Sequence, residues 1–299
     1  MYRLILVPLD GSHFAEYALP LALTLSRRTK AKVHLLTVQE PLPTRSPEGW
    51  EEAARDWHQS YLDDLAIRIR ELAGGEITTK VRMGHVVDSL QAEAEVQEAD
   101  LVVMATHGRG ALSRAWMGAI ADSFIRHTDR PVLVVRPPEG GAEVALEPDR
   151  TISKVLLPLD GTEVAERIID HAAELGSLFG AAYHLVQVLP FPKGFKSPYP
   201  PHMIEMNRES VAESRKEAED YLHAQALRLR AQGFSVDTAV VEVGQAGHGI
   251  LTEAEEAGCD FIAMATHGRG TIARTLLGST ADKVLRGAHI PVLLYRPRD

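Results

Sequence analysis

The sequence is poor in cysteine, and its single cysteine, Cys259, excludes an intrachain disulfide. We interpret Cys259 as a small buried residue at the start of a strand rather than as a reactive thiol. The sequence also lacks any apolar run near the roughly 20 residues that a membrane-spanning helix needs. Its N-terminus has no apolar core and cleavage site typical of a signal peptide. We therefore expect a cytoplasmic protein with no membrane partner.

Basic residues are also scarce relative to acidic ones. The chain has 32 Lys and Arg against 41 Asp and Glu, which gives a net charge of -9. This balance opposes binding to nucleic acid, although a local basic loop can still hold one phosphate group. The hydrophobic fraction of 45% and the charged fraction of 24% are typical of a folded globular protein.

Several well-known catalytic motifs are missing. The turns after the first strand of each half read Asp-Gly-Ser-His (10–13) and Asp-Gly-Thr-Glu (160–163), so neither carries the G-x-G-x-x-G of dinucleotide dehydrogenases. The chain also lacks a G-x-x-x-x-G-K-[ST] loop, a G-x-S-x-G elbow and an H-E-x-x-H pair. We therefore assign no catalytic residues and no metal ligands, and expect slow catalytic turnover at most.

What the sequence does contain is a tandem repeat. Residues 6–11 (Leu-Val-Pro-Leu-Asp-Gly) return 150 positions later with one substitution, at 156–161. Residues 105–110 (Ala-Thr-His-Gly-Arg-Gly) return unchanged, but 160 positions later, at 265–270. The second copy therefore gained ten residues, which fall in a proline-rich loop after Val188.

The chain length of 299 residues agrees with two domains of about 150 residues each. We predict a first domain over 1–137, a linker over 138–150 that begins with Pro-Glu-Gly-Gly, and a second domain over 151–299. Repeats this long indicate duplicated domains rather than a solenoid.

Apolar runs alternate with amphipathic patterns in each copy. In the first copy, runs at 4–7, 33–38, 77–82, 101–104 and 132–135 predict strands, and the segments between them predict helices. This alternation is typical of an α/β fold whose parallel sheet has helices on both faces. We therefore predict two tandem Rossmann-like or flavodoxin-like domains.

The repeated loop at 265–270, followed by Gly278 and Ser279, predicts a phosphate site. It lies between a buried strand and a helix, where glycines admit the ligand and free N–H groups and the helix dipole favour an anion. In open parallel sheets, ligands bind beyond the carboxyl ends of the strands at the switch point in strand order. Asp10 and Asp160 follow the first strands, so each would face its own glycine loop across that crevice.

These motifs resemble the universal stress protein family over nearly the whole chain. The resemblance rests on residues 7–12, 104–110, Gly118 and 131–136, with their second-copy counterparts. It implies two five-stranded parallel sheets of order 3-2-1-4-5, and association through strand five. We therefore expect the two domains to form an intramolecular pseudo-dimer, with a homodimer as a further option.

The family's nucleotide motif is glycine, two residues, glycine, nine residues, glycine, then serine or threonine. By position, the resemblance implies that the second copy binds adenine nucleotide through Asp160, Val188, Ala265, Gly268, Gly278, Ser279 and Thr280. The first-copy counterparts are Asp10, Val38, Ala105, Gly108, Gly118, Ala119 and Ile120. We add Arg269 and Arg109, which follow Gly268 and Gly108, as candidate phosphate contacts.

The roles implied by the resemblance divide these residues into two groups. The aspartate and valine would meet the adenosine, whereas the remaining residues would line the ribose and phosphates. Both copies have alanine in place of the motif's first glycine, and the first copy also has Ala119 in place of the hydroxyl residue. We therefore expect ATP, alone or with Mg²⁺, to bind the second domain more tightly than the first.

Simpler interpretations stay open for several of these residues. Ser279 could serve only as a helix N-cap, and so could Asp10 and Asp160. Arg109 and Arg269 could be solvated loop charges. The resemblance implies an ATP-binding stress-response protein that acts as a regulator or protective factor. The alternatives are a nucleotide-free dimeric scaffold and, less favoured, an enzyme of adenylyl chemistry.

Overall fold

The structure is a computed structural model that describes residues 2–41, 43, 46–106, 118–138, 144–146, 149–190, 201–266 and 277–297, with backbone alone for 190 and 201–209. Strands and helices alternate along these ranges. In the first repeat they are β1 (Leu4–Pro8), α1 (His13–Glu16), α2 (Leu19–Thr29), β2 (Lys32–Gln39), α3 (Trp50–Ile69), β3 (Ile77–Met83), α4 (Val86–Val96), β4 (Leu101–Ala105), α5 (Ala119–His127) and β5 (Val132–Val135). In the second they are β6 (Lys154–Pro158), α6 (Glu163–Glu166), α7 (Ile168–Ser177), β7 (Ala182–Pro190), α8 (Pro201–Ala231), β8 (Val236–Val243), α9 (Ala246–Glu256), β9 (Phe261–Ala265), α10 (Ser279–Gly287) and β10 (Val292–Tyr295).

The first of two compact units comprises Met1–Thr151 together with His289–Asp299. Its strands lie in the order β3-β2-β1-β4-β5, and each neighbouring pair is parallel. This is the order predicted for the first domain. Strand β10 also belongs to this unit, where it pairs antiparallel with β5.

The second unit comprises Ile152–Ala288 and repeats the same architecture. Its strands lie in the order β8-β7-β6-β9, again with parallel neighbours. The first four strands of the second repeat therefore follow the predicted order. The α/β fold with a mostly parallel sheet is confirmed for this chain.

Helices cover both faces of the first sheet, as two side chains of β2 show. His34 reaches Glu93 on α4, whereas Gln39 donates its Nε2 to the backbone oxygen of Glu51 on α3. These two side chains are five positions apart, and successive side chains of a strand point to opposite faces. Helices α3 and α4 therefore lie on opposite faces, and the carboxyl ends of β1, β2 and β4 share one edge of the sheet.

The described helices include none that is both long and apolar enough to cross a membrane.

Candidate functional site

The turn after β1 is built around Asp10. Gly11 adopts a φ of 80°, which lets the chain reverse there without the steric cost that a side chain would carry. The Asp10 Oδ1 atom then accepts hydrogen bonds from the backbone N–H of Ser12 at 2.9 Å and from its hydroxyl at 2.6 Å. The Ser12 hydroxyl in turn accepts from the N–H of Ala15 and caps α1. The carboxylate is thereby held at the carboxyl edge of the sheet.

The second repeat builds the same turn around Asp160. Gly161 has a φ of 81°, and the Asp160 Oδ1 accepts from the N–H and hydroxyl of Thr162 at 3.1 and 2.6 Å. Thr162 caps α6 by accepting from the N–H of Ala165. The alternative in which the aspartates are themselves the helix caps is therefore wrong. We refer to residues 10–12 and 160–162 as the aspartate turns.

Helix α10 begins directly beside the end of β9. The N–H of Gly278 donates to the carbonyl oxygen of Thr266, the residue after β9, at 2.9 Å. A Cβ atom placed on Gly278 would lie only 2.7 Å from that oxygen. Gly118 donates to Thr106 in the same way at 2.7 Å, and its Cβ would lie 3.2 Å from the oxygen. Each glycine thus allows a helix to begin in close contact with a strand end, at the carboxyl edge of the sheet.

Ser279 is the first residue of α10, and Gly278 is its N-cap. The alternative in which Ser279 acts as the N-cap is therefore wrong. Ser279 is exposed, and Thr280 beside it is half-buried. The unpaired N–H groups of a first helical turn and the helix dipole both attract an anion. Ala119 and Ile120 occupy the same positions of α5 and are both exposed, but they bring no hydroxyl group.

The other candidates lie at the ends of neighbouring strands. Val38 and Val188 are half-buried near the ends of β2 and β7, and Ala105 and Ala265 are buried as the last residues of β4 and β9. Strand β1 lies between β2 and β4, and β6 lies between β7 and β9. The structure therefore brings the aspartate, the valine, the alanine and the helix N-terminus to one edge within each unit. Gly108, Arg109, Gly268 and Arg269 lie outside the described residues.

Two threonines that build the candidate site were not predicted from the sequence. Thr106 and Thr266 are almost fully buried, and their carbonyl oxygens hold the N-terminal glycines of α5 and α10. The signal was available, because both threonines belong to the loop that the two copies share without change.

Known proteins support the assignment of the fold. A solved structure of a functionally unknown protein from Pseudomonas aeruginosa PAO1 superposes with a TM-score of 0.68 at 22% identity, covering 99% of this chain and 93% of that one. A universal stress protein from Archaeoglobus fulgidus also gives 0.68, at 17% identity with 99% and 97% covered.

Sequence comparison gives the family. A universal stress protein of Mycolicibacterium smegmatis is 27% identical over 306 aligned positions, which cover 98% of this chain and 97% of the relative. The sequence model of the Universal stress protein family matches twice, at residues 1–136 and 151–296. The chain therefore belongs to the universal stress protein family and carries two copies of its domain.

Proposed function

We propose that this protein binds ATP or a related adenine nucleotide and acts as a nucleotide-dependent regulator or protective factor in a stress response. The observation that carries the proposal is the packing of Gly278 against the Thr266 carbonyl oxygen, where a side chain would not fit. This packing places the N-terminus of α10 at the carboxyl edge of the sheet, where the unpaired N–H groups and the helix dipole attract a phosphate group.

The aspartate turn supplies the other half of the proposed site. Thr162 holds one carboxylate oxygen of Asp160, which fixes the direction of the carboxylate group. A carboxylate held in this direction can accept hydrogen bonds from the hydroxyl groups of a ribose. The backbone N–H and C=O groups of Val188 can form hydrogen bonds with the base. Gly268 and Arg269 belong to the proposed set of phosphate contacts by sequence position alone, and ATP is bound alone or with Mg²⁺.

The proposed sites of the two repeats differ at two hydroxyl groups, because α10 begins with Ser279 and Thr280 where α5 begins with Ala119 and Ile120. Ser279 of α10 can donate to a phosphate oxygen, whereas Ala119 of α5 cannot. A hydrogen bond to a charged group contributes about 1.5–3 kcal/mol. We therefore propose that the second domain binds nucleotide more tightly than the first.

The proposed activity is binding, with ATP hydrolysis at most slow. The Ser12 and Thr162 hydroxyls donate to Asp10 and Asp160, but each also accepts the N–H that caps its short helix, so we assign them a structural role and not that of a nucleophile. A signalling or protective role through the bound nucleotide needs no turnover. Turnover far above the buffer background would instead favour adenylyl chemistry.

Nucleotide recovery tests the proposal without any variant. The purified protein is denatured, and the released small molecules are identified by mass spectrometry. Equilibrium dialysis then compares ATP, cAMP and GTP, with and without Mg²⁺. We expect adenine nucleotide to be released or retained in preference to GTP. Failure to retain any nucleotide at millimolar concentration would favour the nucleotide-free scaffold.

We also propose that the protein acts in the cytoplasm, that its two domains pair as a pseudo-dimer, and that it binds no nucleic acid. Light scattering coupled to size-exclusion chromatography measures whether the whole chain is a monomer or a homodimer. A gel-shift assay at low salt, where nucleic-acid binding is strongest, tests whether the protein binds nucleic acid.

A further inference from the structure

A carboxylate anchors the short helix after each aspartate turn. In the first repeat, α1 has only four residues and ends at Glu16. The Glu16 Oε1 atom accepts a hydrogen bond from the hydroxyl of Tyr61 on α3 at 3.0 Å. Burial, together with the Glu16 carboxylate, raises the pKa of Tyr61, so the hydroxyl keeps its proton at neutral pH. Helix α1 is therefore held at its start by Ser12 and at its end by Tyr61.

The second repeat anchors α6 with different partners. Glu166 ends α6 and accepts hydrogen bonds from Gln225 Nε2 at 3.0 Å and from Arg228 Nη1 at 3.5 Å, both on α8. Gln225 stands where the first repeat has Leu65, so the amide donor is particular to the second repeat. The carboxylates of Glu166 and Asp160 also lie close enough to Tyr221 to raise the pKa of its hydroxyl, after burial as the main cause.

We propose that Glu16 and Glu166 are positioning residues for nucleotide binding that act through Asp10 and Asp160. This inference rests on the proposed function. A single helical turn is not stable by itself, because its nucleation cost exceeds what one turn returns. The contact with the long helix therefore fixes α1 or α6 in place. The cap residue then fixes the aspartate carboxylate against the ligand.

A double-mutant cycle on the second domain tests the inference. Glu166→Ala is made in the natural background and in Asp160→Asn, and ATP affinity is read from the tighter binding phase. We expect Glu166→Ala to weaken ATP binding about fivefold when Asp160 is present and to have little effect in Asp160→Asn, because coupled residues are not additive. Glu166→Gln keeps an acceptor for Gln225 and should bind ATP within about twofold of the natural protein.

A second variant tests the same contact in case Glu166→Ala does not fold. Gln225→Leu installs the residue that the first repeat carries at Leu65, and removes the 3.0 Å donor while leaving Glu166 in place. It should weaken ATP binding in the same direction by a smaller factor. Far-ultraviolet circular dichroism checks the fold of each variant.

Three results would overturn the inference. The first is unchanged affinity in both Glu166→Ala and Gln225→Leu. The second is an equal loss with and without Asp160, which would show a general effect on the fold. The third is loss of affinity in Glu166→Gln as large as in Glu166→Ala. If the natural protein itself retains no nucleotide, the proposed function fails first and the positioning role falls with it.

Discussion

Gly278 and Gly118 occupy the same place in the two repeats but differ in the room around them. A Cβ on Gly278 would approach the Thr266 oxygen to 2.7 Å, and one on Gly118 would approach the Thr106 oxygen to 3.2 Å. The first distance requires the strand end or the helix to move, whereas the second requires a shift of a few tenths of an ångström. Gly278 has a φ of -57°, so the constraint is steric contact and not backbone strain.

We predict that Gly278→Ala weakens ATP binding at the second site by about tenfold, because displacement of α10 moves its N–H groups away from the phosphates. Gly118→Ala is the matched control and should change the first site by a smaller factor. Calorimetric titration of both variants checks the prediction. A larger loss in Gly118→Ala than in Gly278→Ala would contradict the proposed geometry.

A buried cluster of charged residues around Glu93 distinguishes the first unit from the second. The side chain of Glu93 is fully buried, and its oxygens lie 2.9–3.1 Å from His34 Nε2, Lys80 Nζ, Arg82 Nη1 and Gln97 Nε2. Burial opposes ionisation of Glu93, but hydrogen bonds from Lys80 and Gln97 outweigh it and lower its pKa. Burial lowers the pKa of His34 despite the neighbouring carboxylate, because Lys80 and Lys32 also oppose a charged imidazole.

The second unit keeps only the histidine and glutamate of this cluster among its described residues. His184 Nε2 lies 2.7 Å from Glu253 Oε1. The strand register differs by one residue, because His34 pairs with Thr78 and His184 pairs with Asp237. Ala239 and Val241 therefore lie where Lys80 and Arg82 lie in the first unit. Strand β8 contains no Lys or Arg, so no register of this strand could supply the two cations.

The lowered pKa values of His34 and Glu93 predict that acid destabilises the first unit. His34 has a lowered pKa when folded, so its contribution to stability is present above its unfolded pKa of about 6.5 and is lost as the pH falls. Glu93 also has a lowered pKa, so its contribution is lost at still lower pH, below about 4.5. Urea unfolding between pH 7.5 and 5.5 should therefore show falling stability.

The control for this prediction is His34→Gln, which removes the titrating group. The loss of unfolding free energy between pH 7.5 and 5.5 should be smaller in this variant than in the natural protein. Equal pH dependence in the two proteins would mean that His34 does not carry the effect.

At the scale of elements, the strands were predictable and the helix boundaries only in part. Apolar runs located β1, β2 and β4 because those strands are buried on both faces. The segment between the first two predicted strands was expected to be one helix, but the structure has two, α1 and α2, with a break at Tyr17 and Ala18. Pro20 lacks an N–H to donate to Glu16, which favours the break. The second repeat breaks at the same place with Asp170 in that position, so the break does not require proline.

The site was predictable where the two copies share residues and not where it depends on tertiary contacts. The aspartates, the glycines and the helix N-termini followed from spacing and from the family resemblance. The contacts of Glu16 with Tyr61 and of Glu166 with Gln225 join residues 45 and 59 positions apart. Neither periodicity nor local propensity reports such contacts, and the same holds for the register of β8.

The first turn of α5 can be made like that of α10. Ala119→Ser places a hydroxyl group at the first helical residue, where α10 carries Ser279. We predict that this change strengthens ATP binding at the first site by about tenfold, the effect of one added hydrogen bond to a charged group. Ser279→Ala should weaken the second site by a similar factor. If both changes leave affinity unaltered, the hydroxyl does not decide the difference between the sites.

At the scale of the whole molecule, the end of the predicted linker packs against the first unit. Asp149 Oδ1 accepts from Arg27 Nε at 2.7 Å, and the N–H of Arg150 donates to the Thr24 hydroxyl at 3.1 Å. The Asp149 side chain is half exposed, so the ion pair contributes at most about 1 kcal/mol. The boundaries 138–150 for the linker stay a prediction.

We predict that Asp149→Ala accelerates trypsin cleavage after Arg150 by about two- to fivefold, where fivefold corresponds to the upper value of about 1 kcal/mol for the ion pair. Asp149→Asn keeps an acceptor for Arg27 and should be cleaved at nearly the natural rate. Limited proteolysis followed by mass spectrometry of the fragments measures both rates. Identical cleavage of the natural protein and Asp149→Ala would show that the contact does not hold the linker.

We propose that each repeat holds an adenine nucleotide between its aspartate turn and a helix N-terminus, and that the second site is the stronger. Calorimetric titration of the nucleotide-free natural protein with ATP measures both sites. We expect two binding phases, of which the tighter disappears in Gly278→Trp and persists in Gly118→Trp. No heat of binding up to millimolar ATP, or loss of the tighter phase in Gly118→Trp alone, would contradict it.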